Sequence, residues 1–170
     1  MTIDVEAPPS PAREPGQLPT ADLIAHILER YHERHRQEFP EAIALARKVE
    51  AVHAGDPQRP SGLADHLAFM ADDLEGHQRN EEMVLFPLLL AGGGAVARFP
   101  IQRMRAEHVD VEAQLDKLAV LTTGFRPPAH ACRTWKLLYA ACKTLDNDLR
   151  EHMRLENERL FPRFADPDEG

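Results

Sequence analysis

The sequence predicts an all-α protein, an antiparallel four-helix bundle, and three observations predict it. Apolar residues recur at intervals of three and four over four long stretches, and none alternates with period two. Segments rich in Gly and Pro join these stretches. A fifteen-residue pattern also occurs twice, at 73–87 and 148–162, with eight positions identical in the frame D-L-x-x-H-x-R-x-E-x-x-x-L-F-P. An offset of 75 residues is too long for a solenoid repeat and fits two similar helical hairpins facing each other across a pseudo-twofold axis.

Residues 1–19 hold five of the fourteen prolines, little apolar content and no periodicity, and are expected to form a disordered or loosely attached Pro-rich tail. Thr20 is the expected N-cap of the first helix, whose stripe is Ala25, Leu28, His32, His35 and Phe39. Pro40 should kink this helix or start a new one, which continues to about His53. Gly55-Asp56-Pro57 and Pro60-Ser61-Gly62 mark a loop. The second helix, 63–90, carries the first copy of the pattern; Pro87 should end or bend it, and Gly92-Gly93-Gly94 is a breaker. Pro100 suits the first turn of the third helix. There Ile101, Met104, His108, Val111, Leu115 and Leu118 follow the 3,4,3,4 spacing of a bundle seam. Residues 122–128 read as a turn, 129–164 as the fourth helix with the second copy, and 165–170 as an acidic, frayed end. The expected domain is therefore 20–164.

At 170 residues the chain is long enough for one domain with a real core. A net charge of −8 argues against nucleic acid as the main partner. The start has neither a basic segment nor an apolar signal core, so nothing suggests secretion, and a cytoplasmic protein is expected. The longest apolar run, 83–97, is broken by Pro87 and three glycines, so no membrane partner is expected. Cys132 and Cys142 are expected on one helix, about 15 Å apart at the helical rise, too far for a disulfide. They read as buried small residues.

Residues four apart share a helix face, so Asp73, His77, Glu81 and Leu85 form one stripe and Asp148, His152, Glu156 and Leu160 its twin. Each stripe sets an imidazole, a carboxylate one turn on, and then an apolar lid. Imidazole nitrogen with carboxylate oxygen suits iron, manganese or zinc. A core helix otherwise prefers Leu or Ile, and buried charge is costly unless paired or metal-bound. Seam histidines on the first helix (His32 or His35) and the third (His108) complete a four-His, two-Glu set able to hold two metals with bridging carboxylates. Asp73, Asp148 and Glu107 are candidates to offset charge or to orient the imidazoles.

Beyond this pattern, the chain resembles the hemerythrin-like (HHE) di-iron domain of the iron-sulfur cluster repair family, the repair-of-iron-centres proteins. The resemblance is carried by 23–28 with Arg30, Tyr31 and His32, by 48–53, by His77 through Pro87, by Glu107 and His108, by Thr134, Trp135 and Lys136, and by His152 through Arg163. It implies the ligand set His32, His77, Glu81, His108, His152 and Glu156, choosing His32 over His35 as the histidine after Tyr31. It implies two non-haem iron ions, oxo- or hydroxo-bridged when oxidised. The implied role lies in nitrosative and oxidative stress: repair of damaged iron-sulfur proteins as clients by iron delivery, with nitric oxide or oxygen as small ligands. Nitric oxide reduction is the enzymatic activity associated with the family. Family members commonly carry a further small N-terminal domain with a cysteine motif, whereas only residues 1–19, without cysteine, precede the bundle here.

Three other functions compete. A hemerythrin-like oxygen or nitric oxide binding or sensing module would lack repair activity, and oxygen carriers typically use five histidines. A ferritin-like oxidase would use Glu-x-x-His with more carboxylates. Ligand type alone also admits a structural zinc pair. Among the remaining residues, His26, His66 and His130 are expected to be solvent-facing or capping and His53 is a candidate for an access channel. Tyr31 and Trp135 are expected in packing, and Phe86 and Phe161 as the apolar base beneath the metals.

Overall fold

The computed structural model describes residues 14–164, and every element in this range is helical. Helix α1 is continuous through Thr20–Ile27, a π-turn Leu28–His32 and Glu33–Val52. Helix α2 comprises Leu63–Asn80, a π-turn Glu81–Leu85 and Phe86–Leu90. Helix α3 is Arg98–Leu121, entered through the 3₁₀ turn Gly94–Ala97. Helix α4 comprises Arg133–Leu155, a π-turn Glu156–Leu160 and a closing 3₁₀ turn Phe161–Phe164. Helices α1 and α3 each pack against both α2 and α4, which is the expected antiparallel four-helix bundle.

The predicted seam of α3 is buried throughout, including His108. On α1 the buried face is Leu23, Ile24, Ile27, Tyr31, His32, His35 and Phe39, and Ala25 points outward. Pro40 does not end α1: it lies within Glu33–Val52 on the exposed face, where water can serve the carbonyl that proline leaves unpaired. Pro87 likewise sits at the start of Phe86–Leu90, and α2 ends only at Leu90. The preceding π-turn closes with the Phe86 N–H on the Glu81 carbonyl, and Pro87 follows where the ladder has already stepped out. Past Leu90 the three glycines take positive φ, and a Cβ on Gly93 would meet Phe164 Cδ1 at 2.5 Å.

The expected tail falls outside the described residues as far as position 13, and 165–170 lies wholly outside them. Residues 14–19 are held to the bundle, in contrast to the loose tail expected there. Pro15–Gln17 form a 3₁₀ turn, the Gly16 carbonyl accepts from an Arg163 Nη at 3.1 Å, and Leu18 packs on the core. Thr20 is the first helical residue rather than the cap, and its hydroxyl is met by the other Arg163 Nη.

The core is split in two. One apolar cluster surrounds Trp135, Tyr139, Leu67 and Leu115, and a second surrounds Leu23, Ile27, Phe86, Met104 and Phe161. The layer between them is polar yet buried, built from histidines and glutamates of all four helices. Among the described residues no helix is long and apolar enough to cross a membrane.

Candidate metal centre

Helical periodicity brings His77 and Glu81 of α2, and His152 and Glu156 of α4, onto inward faces one turn apart. The helices are not regular there. Glu81 and Glu156 each open a π-turn, and His32 closes the one in α1. A π-turn inserts one residue and re-aims the side chains around it, a device common at functional sites. His108 stands on the unbroken α3.

All six predicted ligands converge, and all are at most 6% exposed. They form two adjoining groups, His32, Glu81, His152 and Glu156, and His77, Glu81, His108 and Glu156, with donor atoms within 4.8 Å of one another in each. Glu81 turns Oε1 toward His77 Nε2 at 3.3 Å and Oε2 toward His32 Nε2 at 3.4 Å. Glu156 turns Oε1 toward His152 Nε2 at 3.1 Å and Oε2 toward His108 Nε2 at 3.2 Å. Both carboxylates therefore contribute one oxygen to each group, and each group draws one histidine from either half of the chain.

The orientation of the imidazoles shows what the layer suits. His32 Nδ1 donates to Glu82 Oε1 and His77 Nδ1 to Glu107 Oε2, each at 2.8 Å, and His108 Nδ1 donates to Asn157 Oδ1 at 3.0 Å. With the proton on Nδ1, each neutral ring aims the Nε2 lone pair inward. His77 Nε2 and His108 Nε2 then face each other at 3.2 Å, two lone pairs with no donor between them. His32 Nε2, His152 Nε2 and all four carboxylate oxygens of Glu81 and Glu156 are buried without a hydrogen-bond partner. Leaving one buried polar group unpaired costs about 1–3 kcal/mol, and here the orphans converge. Imidazole nitrogens and carboxylate oxygens around a common point fit a metal cation.

The electrostatics agree. Burial works against charging His77, but the Glu81, Glu156 and Glu107 carboxylates more than offset it and push its pKa up to about 10. His32 is raised too, as Glu81, Glu156 and Glu82 outweigh burial. Burial opposes the charge on Glu156, yet His152 and His108 hold its carboxyl well below the usual range. Without metal, protons occupy the places that suit a cation.

Of the acids expected to orient imidazoles, only Glu107 does. Asp73 accepts from Gln114 at 2.7 Å, and Asp148 makes a bidentate pair with Arg30 at 2.8 and 2.9 Å. Sequence reasoning missed Glu82 and Asn157. The signal was their shared place, directly after the glutamate in each copy of the pattern. His152 lacks an Nδ1 acceptor: Tyr31, which precedes His32 as Glu107 precedes His108, stacks flat on it at 5.1 Å and 5°. Phe86 and Phe161 close the base as expected, with ring centroids 5.8 Å from His32 and 6.0 Å from His108.

The other histidines divide. His66 is buried rather than solvent-facing, its Nε2 donating to the Gln114 carbonyl at 2.9 Å. His130 is exposed and pairs with Asp56, and His26 is half-buried against the edge of Tyr31. His35 is 1% exposed, with both ring nitrogens unpartnered, its ring 5.8 Å from His152. His53 lies far from the centre, with Nε2 3.2 Å from Cys132 Sγ and its ring against Trp135. Cys132 is thus not a buried helix residue: it is half-exposed and caps the start of α4, whereas Cys142 is buried in the core as expected.

Comparison with known proteins follows the same geometry. The family model described as the hemerythrin HHE cation binding domain matches residues 23–164. An iron-sulfur cluster repair protein YtfE of Dickeya chrysanthemi is 43% identical over 160 residues, covering 94% of this chain and 72% of that protein. Its namesake in Edwardsiella ictaluri is 44% identical over the same length and shares. That of Citrobacter koseri is 44% identical over 145 residues, 85% of this chain and 66% of the relative. With the match spanning nearly the whole bundle and every histidine and glutamate of the buried layer, this chain belongs to the hemerythrin HHE cation binding domain family.

Proposed function

We propose that residues 20–164 form a non-haem di-iron domain that acts in the cytoplasm under nitrosative or oxidative stress and repairs damaged iron-sulfur proteins. The observation that carries the reading is the pair of shared carboxylates, each with one oxygen toward either donor group. Relatives named for iron-sulfur cluster repair support the choice of client. His32 and His152 would hold one ion, His77 and His108 the other, and Glu81 and Glu156 would bridge them. Bound iron would supply open positions for nitric oxide or oxygen and a labile ferrous cargo for a damaged cluster.

The protein's own residues do the rest. Glu82, Glu107 and Asn157 hold three of the imidazoles in the Nδ1–H form with the lone pair inward. Glu81 and Glu156 would cancel half the charge of two ferrous ions, and Glu82 and Glu107, one ring further out, would offset the remainder. Phe86, Phe161, Leu85 and Leu160, all buried, keep water from the base. Two imidazoles and two carboxylates around each ion would leave room for a small ligand, and ordinary side chains as ligands would leave the iron exchangeable.

The test is purification without oxygen, metal analysis, and incubation of the iron-loaded chain with an iron-sulfur enzyme damaged by nitric oxide. About two irons per chain and return of the client's cluster absorption support the reading. Nitric oxide binding without cluster recovery would leave a binding or sensing module. Zinc, or no metal after ferrous reconstitution, would overturn the di-iron reading.

A further inference from the structure

The four imidazoles of the buried layer are not held alike. His77 and His108 share one donor group, and both donate from Nδ1, to the Glu107 carboxylate at 2.8 Å and to the Asn157 amide oxygen at 3.0 Å. In the other group His32 donates to the Glu82 carboxylate at 2.8 Å, but the Nδ1 of His152 is buried without a partner among the described residues. An imidazole that gives its Nε2 lone pair to a cation must carry its proton on Nδ1. For three of the rings that proton has an acceptor, which fixes the ring and raises the basicity of Nε2. For His152 alone, ligation leaves a buried N–H unmatched, which works against it.

His152 has a brace of another kind. Tyr31 lies flat on it, with centroids 5.1 Å apart and planes at 5°. The Arg30 guanidinium sits over the Tyr31 ring, its Cζ 4.9 Å from the centroid, and is itself fixed by the bidentate pair with Asp148 at 2.8 and 2.9 Å. Asp148 stands one turn before His152 on the same helix. The brace therefore leaves α4, runs through two residues of the π-turn in α1 and returns to α4. Stacking and the cation over the ring restrain the orientation of His152. Neither accepts the Nδ1 proton, so the ring is aimed without being made a stronger donor. The first copy of the pattern has no such brace: Asp73 accepts from Gln114, and His77 keeps its carboxylate.

We propose that the two ion positions are unequal, that the one between His32 and His152 is the exchangeable one, and that Tyr31 is its positioning residue. The inference rests on the di-iron reading and names which of the two ions the chain gives up. Losing an outer partner of a ligand typically weakens metal binding about 10–100-fold, and the His32–His152 position lacks one partner that the His77–His108 position has. The shared glutamates do not cancel the difference, because each offers one oxygen to either side.

The experiment is release of ferrous iron from the full chain, loaded without oxygen and with its iron content measured, into an excess of a colorimetric ferrous chelator. The expected course has two phases of equal amplitude with rates at least about ten-fold apart. Glu82→Ala, which unties His32, should speed only the fast phase, and Asn157→Ala, which unties His108, only the slow one. Tyr31→Leu should speed the fast phase several-fold, and Tyr31→Phe, which keeps the stacked ring, should release at the wild-type rate. Thermal midpoints of the metal-free variants confirm that each is folded. A single phase from a chain holding both irons would overturn the inference and leave the di-iron reading standing. So would a fast phase that answers to Asn157→Ala, or folded Tyr31→Phe releasing as fast as Tyr31→Leu. A chain that never takes up about two irons would overturn both readings.

Discussion

Glu156 is the residue whose loss best separates a shared centre from two independent sites. Its Oε1 lies 3.1 Å from His152 Nε2 and its Oε2 3.2 Å from His108 Nε2, so Glu156→Ala takes one donor from both groups at once. His152→Ala takes one donor from a single group and leaves His77, His108, Glu81 and Glu156 in place. Losing even an outer partner of a metal ligand typically weakens binding by about 10–100-fold, so loss of a direct donor should exceed about 100-fold, or roughly 2.7 kcal/mol. For His152→Ala that cost falls on one ion, and for Glu156→Ala on both. The assay is metal per chain by elemental mass spectrometry after dialysis against a chelator at a strength the wild-type centre withstands. The expected ratios are about two for wild type, about one for His152→Ala and near zero for Glu156→Ala. If folded Glu156→Ala retained as much metal as His152→Ala, the carboxylate would not be shared and the bridging geometry would be wrong.

Glu82→Ala should leave the fold intact and weaken metal binding about 10–100-fold, read by chelator competition, because His32 loses the acceptor that fixes its tautomer. The metal-free chain should be most stable near neutral pH. His77, raised to about 10 from 6.5, contributes stability that is fully present below pH 6.5 and lost as pH rises toward 10. His35, lowered to about 2 from 6.5, is protonated only in the unfolded chain over that interval, so stability falls as pH drops below 6.5. Urea midpoints of chelated protein that stayed flat across both intervals would contradict these assignments. Iodoacetamide should modify Cys132 well before Cys142, as peptide mass spectrometry would show. The amides of Trp135 and Thr134 and the His53 imidazole lower the Cys132 pKa, while burial pushes that of Cys142 up to about 12. His53→Gln should slow the first reaction, and equal labelling of both thiols in the folded chain would count against the pairing.

His77, Glu81, His152 and Glu156 were legible as candidate donors because helical periodicity is simple, whereas the choice of His32 over His35 came from the family resemblance. An imidazole and a carboxylate four positions apart must share a face, and their recurrence in a second helix left little else for them to do. The α3 seam was legible for the same reason. Elsewhere the sequence carried less. A π-turn has no composition of its own, so nothing in 28–32, 81–85 or 156–160 announced the extra residue in each. Glu82 and Asn157 differ in type, and a search for identity between the copies passed over them. His66 looked exposed because its partner is a backbone carbonyl, which has no sequence signature. The misplacement of Cys132 came from the helix boundary. Helix α4 begins after Cys132 rather than at Ala129, and those few positions separate a core residue from a cap.

The interleaving of donors has a consequence for the chain as a polymer. Each group takes one histidine from either hairpin, so neither half can assemble a complete coordination set alone. His32 and His152 are roughly 120 positions apart, and tethering them through one ion closes nearly the whole domain into a loop. A cross-link over a loop of about that length removes chain entropy worth on the order of 4–5 kcal/mol from the unfolded ensemble. The polar layer that divides the hydrophobic core would thus be its seam when empty and its staple when filled. A protein that surrenders the ion would at the same moment loosen the tie between its first and last helices.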